Sequence, residues 1–290
     1  MPFPAREAAT RPHGYGCDTM TRKREAPPPY STAAVRVLRL PGGEEYDDRL
    51  AVEEPLELRI GGRPVAVTMR TPGHDEELAL GFALSEGLRP LAARVPDDLA
   101  ANTIELEAPG FDPDRLARSF YTTSSCGVCG KGALEAIAVE SPPVESPLTI
   151  QAAVVGLLPE RLREAQAAFA STGGIHATGL FTADGTLVCA REDVGRHNAM
   201  DKVIGRAFLD GLLPLTDHVL CVSGRLSFEL VQKAAVSGCP VLVAVGAPSS
   251  LAVELAADRG VTLCGFVRDG RLNVYSRPER IILVERPLEA

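Results

Sequence analysis

Two thiols three positions apart are the most chemically pointed feature of this 290-residue chain. They stand in Ser124-Ser125-Cys126-Gly127-Val128-Cys129-Gly130-Lys131-Gly132, small and flexible residues ahead of an apolar helical pattern. The glycines leave the sulfurs no packing role. Lys131 and a following helix N-terminus both favour thiolate, the reactive form of cysteine. Such a pair can bind metal, exchange electrons or carry sulfur. A structural zinc site needs two further ligands, usually a second close pair. Cys189, Cys221, Cys239 and Cys264 instead fall singly within apolar segments and read as small core residues, although His176 and His197 could complete a mixed site. A thioredoxin-like motif follows an early strand of a βαβ unit, which this pair does not. A carrier thiolate takes the outer sulfur of a donor persulfide. Its neighbour can later attack that persulfide and release the outer sulfur, leaving a disulfide. Helix-opening pairs usually expose their first cysteine, which favours Cys126 as carrier and Cys129 as its partner.

A second polar concentration is Arg191, Glu192, Asp193, Arg196, His197, Asn198, Asp201 and Lys202. Two readings stand: a capped helix start with solvated charges, or an anion or metal-cofactor pocket in which Arg196 and His197 face phosphate or the thiols. His218 precedes a strand and reads as structural, His74 as a surface or capping residue, and His176, after a double glycine, as either. Ser223-Gly224-Arg225 and Ala247-Pro248-Ser249-Ser250 each close an apolar strand and open a helix. Small residues there let backbone N–H groups approach a phosphate. With Arg268 and Arg271 on the last hairpin, they suit a phosphate-rich ligand such as a nucleotide. Neither a GxxxxGK[ST] loop nor a GxGxxG after a strand is present.

The elements that must hold these residues follow from hydrophobic period and turn residues. Residues 35–40, 57–60 and 63–69 read as strands, the last two joined by a Gly61-Gly62 turn. Leu78, Leu80, Phe82, Ala83 and Leu84 predict a helix after the acidic Asp75-Glu76-Glu77, ending at Gly87. Residues 103–106 read as a further strand, and 114–120 as a helical connector to the cysteine loop. A helix is expected over about 160–170, stopped by Gly173-Gly174. Beyond it, strands at 176–182 and 186–190 flank Asp184-Gly185, and strands at 218–222, 240–245, 261–267 and 272–275 alternate with helices near 228–236 and 251–257. Continuous apolar strands alternating with helices imply a mostly parallel sheet covered on both faces, with ligands at the strands' carboxyl ends. The expected class is therefore α/β: a disordered tail over 1–31, a small α+β domain over 32–112, and a larger α/β domain over 113–290 with a mobile CxxC loop at 122–132.

Composition narrows the function. The chain is 45% hydrophobic and 23% charged with a formal net charge of -8, which favours neither nucleic acid nor an anionic membrane. No apolar run approaches the ~18 residues of a membrane span. The N-terminal stretch, with His13 and Cys17 inside it, lacks a signal peptide's apolar core, and Met20 is an alternative start. Seven unevenly spaced cysteines do not form a disulfide framework and point to a reducing cytoplasm.

Five motifs in order carry a resemblance: Cys126-Gly127-Val128-Cys129-Gly130-Lys131; Gly174-Ile175-His176; Glu192-Asp193-Val194-Gly195-Arg196-His197-Asn198; Ser223-Gly224-Arg225 with Phe228-Glu229-Leu230-Val231-Gln232-Lys233; and Gly265-Phe266-Val267-Arg268-Asp269-Gly270-Arg271. Over roughly residues 35–280 the chain resembles the formate dehydrogenase accessory sulfurtransferases, the FdhD family. The resemblance implies a cytoplasmic sulfur carrier. It would take sulfur from a cysteine desulfurase as a persulfide on Cys126. It would deliver that sulfur to the molybdenum bis(molybdopterin guanine dinucleotide) cofactor before insertion into formate dehydrogenase. The cofactor is the substrate being sulfurated, and no permanent cofactor or metal is expected. Phe266, Val267, Arg268, Asp269, Gly270 and Arg271 match the family's cofactor-binding segment. The resemblance also implies a homodimer and, for the larger domain, a three-layer α/β/α arrangement like the cytidine deaminase fold. No H-x-E precedes Cys126 and Ser125 stands where zinc deaminases have proline, which counts against their chemistry. A cofactor-binding chaperone without sulfur transfer and a zinc-dependent deaminase-like hydrolase are the alternatives.

Overall fold

A computed structural model describes Pro28 and residues 30–96, 102–111, 139 and 141–283. The Cys126–Cys129 loop, the connector at 114–120 and most of the expected tail lie outside the described residues. Pro28 and Ser31, expected within that tail, are instead tied into the fold. Ser31 is buried, its N–H donates to the Pro28 carbonyl at 3.1 Å, and its own carbonyl accepts from Val52 N at 2.9 Å.

The first described strands form an exposed two-stranded ribbon, β1 (Thr32–Arg39) against β2 (Glu44–Ala51), antiparallel. The sequence hid β2: its run of Glu, Asp and Arg has no apolar alternation. A four-stranded sheet follows, in the order β4-β3-β6-β5, from β3 (Glu54–Ile60), β4 (Arg63–Arg70), β5 (Ala92–Arg94) and β6 (Thr103–Glu107). Gly61 and Gly62 both have positive φ (60° and 74°), as the tight turn between β3 and β4 requires. Helix α1 (Asp75–Ser85) closes this sheet, packing Leu78, Leu80 and Ala83 on Leu56, Leu58, Ile104 and Leu106.

The larger part is a six-stranded sheet in the order β13-β12-β11-β10-β8-β9. Its strands are β8 (His176–Thr182), β9 (Leu187–Asp193), β10 (His218–Val222), β11 (Val241–Ala244), β12 (Thr262–Arg268) and β13 (Arg271–Ser276). A short parallel pair, β7 (Ile150–Gln151) with β14 (Ile281–Ile282), lies apart from it. Only β10, β11 and β12 run parallel; β8, β9 and β13 are antiparallel to their neighbours. The sheet is therefore mixed, not mostly parallel. The cause is local, since the connection at 183–186, around Asp184-Gly185, and the two-residue Asp269-Gly270 turn are too short for a parallel crossover.

Successive side chains of the central strands face opposite layers. Leu220, Leu242 and Leu263 pack under α4 (Arg196–Leu209), α5 (Phe228–Val236) and α6 (Ser250–Asp258). Val219, Cys221, Val241, Val243 and Cys264 pack with Val155, Leu158 and Leu162 of α2 (Ala152–Ala165) on the other face. This is a three-layer α/β/α arrangement. The helix expected over 160–170 is two helices: α2 runs through Pro159, and α3 (Ala167–Thr172) ends at Gly173 with φ 66°. Burial of Val155, Leu158 and Leu162 along one face starts α2 at Ala152, ahead of the expected start near residue 160, and carries it through Pro159. No described helix is long and apolar enough to cross a membrane.

The two parts meet where α1 crosses α4. A Cβ on Gly81 would overlap the Asp201 carbonyl, and one on Gly205 the Glu77 carbonyl, so the two backbones touch. Buried charges tie the same seam. Lys233 Nζ donates to both Asp201 oxygens (2.8 and 2.9 Å), and Ser85 Oγ to Asp201 Oδ1 (2.8 Å). Arg191 Nη2 donates to Glu77 Oε1 (2.8 Å).

Candidate functional site at the carboxyl ends of the central strands

The polar segment at 191–202 divides into two sets with different uses. Asp193, fully buried at the end of β9, is saturated. Its Oδ1 accepts from Gly195 N (2.9 Å) and Asn198 Nδ2 (3.1 Å); its Oδ2 accepts from Thr71 N (3.1 Å) and sits 2.7 Å from Lys202 Nζ. Lys202 also donates to Thr71 O (2.8 Å), and Asn198 to Met69 O (2.7 Å). Glu192 accepts from Ala168 N and Phe169 N, both at 2.8 Å, and so holds the start of α3. These residues pin the start of α4 to the β4–α1 turn. Arg196 and His197 are left outside that knot, on the first turn of α4.

Three loops lie side by side at the same end of the sheet. Gly246 N donates to Gly224 O (3.0 Å), Leu226 N to Ala247 O (3.0 Å), Ser249 N to Leu226 O (3.0 Å) and Phe266 N to Gly246 O (3.1 Å). The glycines allow the approach: a Cβ on Gly246 would come within 2.9 Å of the Gly224 carbonyl. Ser223 and Ser249, expected to line a pocket, hold these loops instead. Ser223 Oγ accepts from Ala177 N (2.9 Å), and Ser249 Oγ caps α6 by accepting from Ala252 N (3.2 Å). Ser227 caps α5. The N-termini of α4, α5 and α6 therefore all open on this end, each presenting backbone N–H groups and the positive end of a helix dipole. Arg196, Arg225 and Arg271 form no ion pair among the described residues, whereas Arg268 lies 3.3 Å from Asp269.

The expected binding segment spans the last hairpin. Phe266 sits in a β-bulge with φ 52° and is 52% exposed. A phenylalanine held in the left-handed region is uncommon and costs energy. Asp269 and Gly270 form the turn, with φ 51° and 72°. Val267 points the other way, into the core beneath α2, so its side chain does not reach this surface. Gly270 rests against Gly156 of α2.

Two histidines complete the end of the sheet. His176 starts β8 opposite Asp193 and faces Gly224, whose Cβ would lie 3.4 Å from its Nδ1. Burial first, then Arg196 and His197, push its proton affinity below the usual histidine range, against the pull of Asp193. His197 Nε2 lies 2.7 Å from Glu229 Oε2 and 3.3 Å from Ser227 Oγ. The hydrogen bond from His197 holds the Glu229 carboxyl below its ordinary range. Ser227 and Glu229 were not singled out in the sequence, although a serine directly before an amphipathic helix is the usual N-cap signal. His218 is buried at the start of β10, and His74 occupies the N-cap position of α1 without a side-chain capping bond.

The remaining described cysteines pack. Cys221, Cys239 and Cys264 are fully buried, and burial raises all three thiols, Cys239 and Cys264 to about 12, and Cys189 to about 11. None is a nucleophile at neutral pH. Among the described residues no group of three or more His, Cys, Asp and Glu could hold a metal ion. Cys126 and Cys129 lie outside the described residues. Their segment leaves beyond Phe111, which packs on the small core, and returns at Val139, whose N–H donates to Gln232 Oε1 on α5 (3.0 Å).

Comparison with known proteins agrees with this architecture. The model of the FdhD/NarQ family matches residues 51–282. A protein of Mycolicibacterium paratuberculosis named sulfur carrier protein FdhD is 50% identical over 268 residues, covering 86% of this chain and 98% of its own. One of the same name from Streptomyces avermitilis is 49% identical over 271 residues, covering 86% and 95%. A crystal structure from Desulfotalea psychrophila, described as a formate dehydrogenase accessory protein, superposes with a TM-score of 0.67 at 25% identity, covering 87% of this chain and 98% of its own. The chain belongs to the FdhD/NarQ family.

Proposed function

We propose that this protein is a sulfur carrier that loads a persulfide on Cys126 and unloads it at the carboxyl ends of β10, β11 and β12. The observation that carries the proposal is the gathering at one end of the sheet of three helix N-termini, the exposed Phe266 ring, and Arg196, Arg225 and Arg271, which form no ion pair among the described residues. That set suits a ligand with several phosphates and flat rings. Molybdenum bis(molybdopterin guanine dinucleotide), bound as substrate, is such a ligand. The segment bearing the thiols rejoins the fold on α5, beside this end. Cys129 is ten positions ahead of Val139 in the sequence, a length of chain that can span at most about 35 Å.

In loading, the Cys126 thiolate attacks the outer sulfur of a cysteine desulfurase persulfide. The donor S–S bond breaks, the donor leaves as thiolate, and a new S–S bond forms on Cys126. In unloading, the Cys129 thiolate attacks the Cys126 sulfur. A Cys126–Cys129 disulfide forms, and the outer sulfur leaves as hydrosulfide with the electron pair of the broken bond. Formate dehydrogenase is the enzyme that receives the sulfurated cofactor. A homodimer acting in the cytoplasm completes the proposal. Incubation with a desulfurase and cysteine should add one sulfur to the Cys126 peptide by mass spectrometry. Full formate dehydrogenase activity in cells carrying Cys126→Ala would refute the carrier role.

A further inference from the structure

The β1–β2 ribbon is regular but contributes to none of the three cores. Each strand has eight residues, paired in register from Thr32 opposite Ala51 to Arg39 opposite Glu44, and no residue of 32–51 is buried. Its root is tied by Val52 N donating to Ser31 O at 2.9 Å, and α3 runs beside β2 without burying any residue of it. A two-stranded ribbon without a third strand or a packed face is marginal at best in water. Residues directly opposite each other share a face, so the register sorts the side chains. On one face the arginines are spent within the ribbon. Arg36 lies 3.3 Å from Glu45 and 3.2 Å from Asp47, and Arg49 Nη1 donates to Thr32 Oγ1 at 3.3 Å. The other face is apolar. Ala33 stands opposite Leu50, Val35 opposite Asp48 and Val37 opposite Tyr46, with the Arg39 guanidinium 4.1 Å over the Tyr46 ring. Val35 and Leu50 are exposed, and Asp48 accepts from Arg49 N at 2.9 Å.

We propose that this apolar face docks on the same face of a second copy of the chain. The contact is the surface of the homodimer proposed above; it rests on that reading and is independent of the sulfur chemistry. Charge favours a copy over a foreign partner. β1 carries Arg36 and Arg39 and no acid, whereas β2 carries Glu44, Glu45, Asp47 and Asp48 against Arg49. When two ribbons stack face to face about a two-fold axis along the strands, β1 of each copy lies over β2 of the other. Arg39 then meets Glu44 of the partner subunit, Val37 meets Tyr46 of the partner subunit, and Ala33 meets Leu50 of the partner subunit. One patch serves both copies, as an isologous contact requires. A single ribbon face offers fewer than the roughly 20–30 residues a side of a standard interface, so the dimer is a dissociable one.

The test uses the full-length protein and sedimentation velocity over about 1 to 100 μM, where a dissociable dimer changes its population. The wild-type protein should pass from monomer to dimer across that range. Val35→Asp combined with Leu50→Asp should weaken the dimer by about 100-fold or more, because four apolar side chains lose their cover. This variant should stay folded by circular dichroism, since no residue of 32–51 is buried. Arg39→Glu and Glu44→Arg should each weaken association by about tenfold, and the two together should return it close to wild type. A dimer of wild-type strength in the Val35→Asp, Leu50→Asp variant would overturn the proposal and leave the homodimer with another surface. A double charge exchange as weak as either single variant would overturn the laying of strand over strand. A wild-type protein still monomeric at about 100 μM would overturn the homodimer itself along with this contact. Slow amide hydrogen exchange in the ribbon of such a monomer would assign its cover to the chain's own termini.

Discussion

The seam where α1 crosses α4 and the loop cluster at the carboxyl ends of β10, β11 and β12 use the same residue types for opposite ends. Both rely on glycine for close backbone approach, and both contain arginine and carboxylate. In the seam, Gly81 and Gly205 bring two helices into backbone contact, and Asp201, Lys233, Arg191 and Glu77 are each paired. In the loop cluster, Gly224 and Gly246 bring loops together, but Arg196, Arg225 and Arg271 form no ion pair among the described residues. A charge satisfied within the fold fixes geometry; a charge left unsatisfied at the edge of a rigid scaffold is available to a ligand. Asp193 joins the two regions, since its four donors hold the start of α4, and with it Arg196 and His197, to the small sheet.

Substitutions should separate the regions by kind of damage. The largest stability loss is expected from Gly205→Leu or Gly81→Leu, because the new side chain meets backbone carbonyls that cannot yield. Thermal denaturation should show a loss above about 3 kcal/mol, or no folded protein. If either variant melts within a degree of wild type, the helices are not in backbone contact. Lys233→Met should cost about 3–5 kcal/mol by leaving Asp201 buried and uncompensated, and Asp201→Leu added to it should restore much of the loss. Chemical denaturation of the single and double variants reads this directly, and an additive double variant would refute the pairing.

In the loop cluster the effects should fall on binding. Arg196→Ala and Arg225→Ala should leave the melting temperature within about a degree but weaken guanosine diphosphate, used as a probe, by roughly tenfold each. Calorimetric titration reads the difference, and unchanged affinity in both would remove these arginines from the site. The smallest effect is expected from Glu86, at the end of α1. Burial raises its carboxyl above the ordinary range, with Asp201 and Glu229 adding to the shift and Lys233 opposing it. A raised carboxyl contributes stability that is complete below its unfolded value of about 4.3 and is lost as pH rises through the folded value. Glu86→Gln should therefore stabilise the protein slightly at neutral pH, a gain that vanishes below about pH 4. A gain constant with pH would contradict this account.

Much of the sheet was legible because its signals are local. Residues 218–222 and 228–236 coincide with β10 and α5, and Asp269-Gly270 and Gly61-Gly62 are the turns their residue types foretold. Strand direction was less legible: alternation of strands and helices suggested a parallel sheet, while the hairpins at both edges made it mixed. The ribbon strand β2 carries no apolar period, and α2 passes through Pro159 because three buried residues outweigh one missing N–H. Within the site, one of the two readings of the 191–202 segment turned Arg196 and His197 toward phosphate or the thiols, and the structure sets them at the same end of the sheet as the 266–271 hairpin. It could not divide the 191–202 segment into knot and surface, because that division is made by Thr71 and Met69, more than a hundred residues away. Val267 was assigned with its neighbours by motif, yet strand alternation turns its side chain into the core.

The central claim is that Cys126 carries the sulfur. Mass spectrometry of the protein after incubation with a cysteine desulfurase and cysteine tests it most directly. The account expects one added sulfur on the peptide containing Cys126, retained in Cys129→Ala and absent in Cys126→Ala. An added sulfur that persists in Cys126→Ala, or that maps to another cysteine in the wild-type protein, would contradict it.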